Sequence, residues 1–231
     1  MPRKPRGMQL ADRVAYHVMS RGHNREAVFG ETGDFRHFLR LLGRYRERFG
    51  FRLYHYCQMT NHVHLLVQLD NPRRLSSLMA GLLLAYTRYY NRRYGFVGHL
   101  WQGRFKSPTV QRERYWLTCG RYLERNPLAA GLVKAPWDYA WSSCRAYALG
   151  EPDALLTEDP EYAELSPAPA RRQSLWREFL MGEDLCEGVI RRQEWAIGNA
   201  DFCRELAAVL GRPLAARRGR PRKEPAAKEV H

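Results

Sequence analysis

The sequence predicts an α+β fold of the ferredoxin-like type, with element order β-α-β-β-α-β-α and an antiparallel sheet. Three observations point to it. Short stretches of alternating apolar residues are interspersed with longer ones at helical spacing. Two strand-like stretches are joined by the turn Thr60-Asn61, as in a hairpin. The order of the segments is that of a split βαβ unit with one helix added. This unit is expected over residues 8–135, followed by a helical extension over 136–211 and a basic tail over 212–231.

RVAYHVMSRG (13–22) sets valines and a tyrosine in short alternation, as a half-buried strand does. GDFRHFLRLLGRYRERFG (33–50) places Phe35, Phe38, Leu39, Leu42 and Tyr45 at helical spacing, and Gly50 offers a stop. FRLYHYCQM (51–59) and HVHLLVQL (62–69) are the hairpin strands. LSSLMAGLLLAYTRYYNRRYG (75–95) is a second amphipathic helix ending at Gly95. RFKSPTVQ (104–111) is the last strand, marked by Pro108 as an edge or bulged one. ERYWLTCGRYLERN (113–126) is a third helix, expected to stop at Asn126-Pro127, because a residue before proline is pushed away from helical geometry.

Beyond it, AWSSCRAYALGEPDALL (140–156) reads as a connecting segment. SPAPARRQSLWREFLMG (166–182) opens with proline and alanine before a helix. Another helix lies within 192–214, with Asn199 or Asp201 as its cap. The last residues, AARRGRPRKEPAAKEVH, have no apolar periodicity and are expected to be disordered alone.

The chain has 231 residues, 45% of them hydrophobic, which is enough for a core. No apolar stretch approaches the ~20 residues needed to span a bilayer, and no secretory signal or membrane partner is expected. The five cysteines are scattered without a CxxC pair, which argues against a disulfide framework and for a reducing, cytoplasmic setting. Lys+Arg 38 against Asp+Glu 24 gives a net charge of +14. An excess of that size points to a polyanion such as nucleic acid, since neutralising phosphates releases counterions.

In HVHLLVQL, residues two apart share a strand face, so His62 and His64 project together while Val63, Leu65 and Val67 face the other way. Imidazoles so spaced can occupy two positions on one divalent ion, but they also occur as solvated or hydrogen-bonded pairs. The third helix carries Tyr115, Cys119, Tyr122 and Asn126 on one face and Trp116 and Leu123 on the other. By spacing alone, Tyr122 is equally a core aromatic and Asn126 equally a polar residue ahead of a proline.

Four stretches in the same order, YHVMSRGHNREAVF, TNHVHLLV, LWQGRFKS and YLERNPLAAGLV, resemble the REP-associated tyrosine transposases, a branch of the single-tyrosine HUH transposases. The resemblance runs from about Tyr16 to Val133 and returns in EWAIGNADF and RRGRPRK. It implies a divalent ion, Mg²⁺ or Mn²⁺, held by His62, His64 and Asn126, with Tyr122 as nucleophile. It further implies cleavage and rejoining of single-stranded hairpin DNA of the repetitive extragenic palindrome type, through a 5′-phosphotyrosine that leaves a 3′ hydroxyl. A bacterial, nucleoid-associated protein is implied, monomeric, with a dimer left open. A hairpin-binding protein without productive transposition is the alternative.

DNA contacts are expected from Arg21, His23 and Asn24 just past the first strand, and from Arg104 and Lys106, which interleave with Trp101 and Phe105. Aromatic faces beside cations suit single strands, though Trp101 is equally a core residue. Arg3 and Lys4 belong to a basic N-terminal stretch that in relatives helps read a guide sequence. In the tail, Arg218 and Arg220 flank a glycine before proline, which resembles the core of a minor-groove hook.

Overall fold

A computed structural model describes residues 14–112, 114–183, 190 and 195–210. Strand β1 spans Ala15–Arg21, helix α1 Thr32–Phe49, the hairpin strands β2 and β3 Arg52–Met59 and His62–Gln68, and helix α2 Leu75–Tyr94. The short strand β4, Thr109–Val110, precedes helix α3, Arg114–Ala129. Then follow α4 (Cys144–Leu149), α5 (Pro160–Ala163), α6 (Pro169–Met181), β5 (Ala196–Ile197) and α7 (Ala200–Leu210).

The sheet order is β2-β3-β1-β4-β5, antiparallel throughout except for the parallel β4–β5 pair. Its first four strands have the order and directions of the split βαβ unit. Tyr16, Val18, Val63, Leu65 and Val67 pack with α1 and α2 on one face. Ala15, Leu66 and Val110 pack with Trp116, Cys119 and Leu123 of α3 on the other. The two-residue period of β3 therefore sends Val63, Leu65 and Val67 into the main core and turns His62, His64 and Leu66 toward α3.

The helix ends follow local chemistry. Asp34 accepts from the Gly30 and Glu31 backbone N–H groups at 2.9 and 3.1 Å, holding the start of α1. Gly50 and Gly95, both left-handed at φ 64° and 62°, end α1 and α2 where the sequence offered stops. Asn199 caps α7 through Phe202 N–H at 2.8 Å.

Four expectations change. First, α3 does not stop before Pro127 but runs on to Ala129. Proline removes the N–H that would satisfy the Leu123 carbonyl. The Asn126 side chain supplies a replacement, its Nδ2 donating to Tyr122 O at 2.7 Å and Leu123 O at 3.3 Å. Second, Trp116, Cys119 and Leu123 are buried in one cluster with Tyr115 and Tyr122 packed against it, so the two faces expected of this helix meet a common core. Third, the strand foreseen over 104–111 is regular only at Thr109–Val110, with an isolated bridge from Lys106 to Met19. Fourth, the stretch read as a connector contains α4, and β5 was not foreseen.

Residues beyond 135 run along β2. Gln58 N–H donates to Trp141 O at 2.9 Å, Ser143 N–H to Tyr56 O at 3.0 Å and Thr157 N–H to Leu53 O at 2.7 Å. A bulge between Leu53 and His55 breaks the alternation of β2. It turns Tyr54 and His55 together toward α3, where Tyr54 stacks edge-on against Trp116 and His55 meets Glu124.

Candidate active site

The α3 face of the sheet gathers imidazoles around one tyrosine. Antiparallel pairing sets His17 opposite Leu66, Met19 opposite His64 and Arg21 opposite His62. His17, His64 and His62 consequently line one side of the β1–β3 pair. His64 stacks on His17 with centroids 5.0 Å apart and meets His62 edge-on at 4.8 Å. Tyr122, half-buried on α3, stands edge-on to His64 at 5.8 Å and to His17 at 5.9 Å.

Burial keeps these imidazoles neutral. It lowers His17 to a pKa of about 4. His62 is also lowered to about 4, by burial and by the nearby Arg21 charge. His64 lies well below its ordinary value, through burial and then through His17, His62 and Arg21. A neutral imidazole keeps a lone pair for a metal, which an imidazolium lacks. The His17 Nε2 to His64 Nδ1 hydrogen bond is 2.8 Å long. When His64 donates in it, the Nε2 lone pair of His64 stays available; His17 Nδ1 is buried with no hydrogen-bond partner among the described residues. Among the described residues no three His, Cys, Asp or Glu side chains converge on one point as a metal cage. The Asn126 amide, the third ligand that the family resemblance implies, stands on α3 one turn beyond Tyr122. Its nitrogen is engaged with its own helix, so its Oδ1 is the acceptor end that points away from those bonds.

Helix α3 is fixed by a buried ion cluster on either side of Tyr122. His55 donates from Nδ1 to Glu124 at 2.7 Å and from Nε2 to Asp159 at 2.8 Å, with all three side chains sealed from solvent. Ser143 Oγ and Trp176 Nε1 also donate to Glu124, at 2.7 and 2.8 Å, and Trp116 Nε1 donates to Asp159 at 2.8 Å. Burial alone would lower the His55 pKa, but the Glu124 charge and the bonds to both carboxylates outweigh it and raise it to about 9. The ring lies hard against α3 at Gly120, where a Cβ would sit 2.7 Å from His55 Nε2.

The expected DNA-contact residues surround the same end of the sheet. His23 and Asn24 are exposed in a loop whose Asn24 and Arg25 are left-handed, at φ 50° and 65°. That loop is sewn to the hairpin turn: Gly22 N–H donates to Asn61 O, and Val28 and Phe29 N–H to Thr60 O, at 2.8 to 2.9 Å. Arg21 is half-buried, with its Nε unpartnered among the described residues. Arg104 and Lys106 are exposed, on a segment bonded to β1 through Gln102 N–H to Arg21 O at 2.7 Å and Lys106 N–H to Met19 O at 2.8 Å. Trp101 is a packing residue: its Nε1 donates to Thr87 Oγ1 at 3.1 Å, and its ring lies on Phe29 and Tyr86. Phe105 is buried in the same core. Arg3, Lys4, Arg218 and Arg220 lie outside the described residues.

So His62, His64 and Tyr122 come together, and Asn126 stands one turn further along α3, drawn onto its own helix. His17, Asn61 and the His55 cluster were missed in the sequence. His17 and Arg21 stand four apart in one strand and so share a face, which was a legible signal. His55 gave none, because the bulge reverses its side.

Comparisons with known proteins bear on the fold and the family. A solved structure of a REP-associated tyrosine transposase bound to a REP hairpin is similar in fold, with a TM-score of 0.54 and 14% identity, covering 70% of this chain and 93% of that one. No curated protein matches the sequence. The model of the IS200-like transposase family matches residues 11–126, a span that includes β1, the histidine pair, Tyr122 and Asn126, and the chain belongs to that family.

Proposed function

We propose that this transposase cleaves and rejoins single-stranded hairpin DNA through a covalent bond to Tyr122. The observation that carries the reading is the Tyr122 ring set against His64 and His17, with His62 alongside. His62 and His64, with the amide oxygen of Asn126, would hold a divalent ion, Mg²⁺ or Mn²⁺. When bound, such an ion supplies positive charge that polarises a scissile phosphate.

The chain's own groups do the rest. The Tyr122 oxygen bonds to phosphorus as the bond from phosphorus to the 3′ oxygen breaks. The phenol proton leaves, and the departing oxygen takes one up as a 3′ hydroxyl. Phosphodiester energy is kept in the phosphotyrosine, so a second 3′ hydroxyl can displace Tyr122 and rejoin the strand. Arg21, at the edge of the histidine cluster, and the exposed His23, Asn24, Arg104 and Lys106 would hold phosphates and base edges. Arg3, Lys4, Arg218 and Arg220 would extend this basic surface, which the net charge of +14 favours.

The test incubates the protein with a hairpin oligonucleotide and Mg²⁺ or Mn²⁺ and runs a denaturing gel. A protein-linked 5′ product is expected. Tight hairpin binding with no cleavage under either ion would instead make the protein a hairpin binder without productive transposition.

A further inference from the structure

Asn61 sits in the turn between the hairpin strands, next to His62, and both ends of its amide are engaged. Its Nδ2 donates to the Arg25 carbonyl at 2.9 Å. Its Oδ1 faces His62 Nδ1 at 2.6 Å. The two bonds fix each other. A carbonyl oxygen accepts only, so the amide nitrogen must face Arg25 and the amide oxygen must face His62. That oxygen also accepts only, so the proton lies on His62 Nδ1.

We propose that Asn61 is a positioning residue that holds His62 in the Nδ1–H form, leaving the Nε2 lone pair free for the ion, and ties that histidine to the exposed loop at 23–27. The inference rests on the proposed ligand role of His62. The loop it ties is the one with two left-handed residues that are not glycine, Asn24 and Arg25. Asn61 Nδ2 thus braces a conformation that the backbone alone disfavours. Loop and imidazole are fixed by one side chain. Metal-bound histidines commonly owe their tautomer to such a partner on the other ring nitrogen.

The test compares Asn61→Ala and Asn61→Asp with the wild type in the full chain. Long-range ¹H–¹⁵N spectra of the metal-free protein read the His62 tautomer, and Mn²⁺ alone, followed by electron paramagnetic resonance, reads affinity. Wild type is expected to show His62 as the Nδ1–H form. Asn61→Ala is expected to mix in the Nε2–H form and to weaken Mn²⁺ binding by about 10- to 100-fold. Asn61→Asp keeps the acceptor and loses the donor, so it is expected to restore the tautomer and Mn²⁺ binding while amides 23–27 exchange faster. A wild-type tautomer and Mn²⁺ affinity in Asn61→Ala would overturn the proposal. A wild type that takes up no Mn²⁺ would overturn the ligand role of His62 instead, and the spectra would still decide the tautomer.

Discussion

The Tyr122 ring meets the His64 imidazole edge-on, with centroids 5.8 Å apart, although 58 positions separate them in the chain. Two devices produce that meeting. The strand period turns His64 away from the aliphatic core and toward α3. The buried His55–Glu124–Asp159 cluster and Gly120 then set where α3 crosses the sheet, with Tyr122 between the two contact points. The position of the tyrosine therefore depends on residues buried away from the surface.

His17 is expected to act through His64. Replacing it with alanine removes the partner on His64 Nδ1, and Mn²⁺ affinity should fall by about 10- to 100-fold with the fold retained. Titration of Mn²⁺ by calorimetry checks this; an unchanged affinity would remove His17 from the site.

His55→Gln leaves Glu124 and Asp159 buried without their cation and is expected to cost about 3–5 kcal/mol of stability. The pH dependence has a definite sign. The folded-state pKa is raised to about 9, so the contribution of His55 is complete below its ordinary 6.5 and is lost as pH rises through about 9. The ring faces Glu124 from α3 and Asp159 from the start of α5, with Tyr147 and Trp176 stacked on it. Urea unfolding of both proteins at several pH values should show the gap between them narrowing across that window.

Gly120→Ala drives a methyl group into the His55 ring, which packed neighbours prevent from yielding. A loss of about 1–3 kcal/mol is expected. Thermal unfolding reads it, and a variant as stable as wild type would mean that α3 is less tightly seated than its contacts imply.

Asn126→Ala is expected to act twice. Loss of the Nδ2 bond leaves the Leu123 carbonyl without its replacement donor, at a cost of about 1 kcal/mol, so amide exchange near Ala130 should quicken. Loss of the amide oxygen should also weaken Mn²⁺ binding. Asn126→Asp keeps the oxygen and adds charge, and is expected to bind Mn²⁺ at least as well as wild type.

Much of the fold was legible because its long elements carry unmistakable periods. The pattern of Phe35, Phe38 and Leu42 and the alternation of Val63, Leu65 and Val67 both reach one core. The glycine stops at Gly50 and Gly95 were readable for the same reason: chemistry and position agree locally. What escaped depends on partners distant in the chain. β5 is two residues long and exists by pairing with β4. The side of β2 that His55 occupies is set by a bulge, and its partner Asp159 lies 104 residues away. The extension of α3 past Pro127 turns on where one asparagine side chain bonds. The histidine pair was visible as a pair and the shared face of His17 and Arg21 was readable from spacing, but the bonds from His17 to His64 and from Asn61 to His62 appear only in space.

The central claim is that Tyr122 is the nucleophile. Wild type and Tyr122→Phe are incubated with a hairpin oligonucleotide and Mn²⁺, and covalent protein–DNA product is resolved on a denaturing gel, with hairpin affinity measured alongside. The account predicts adduct with wild type and none with Tyr122→Phe at near-equal affinity. Adduct formation by Tyr122→Phe at the wild-type level would contradict it.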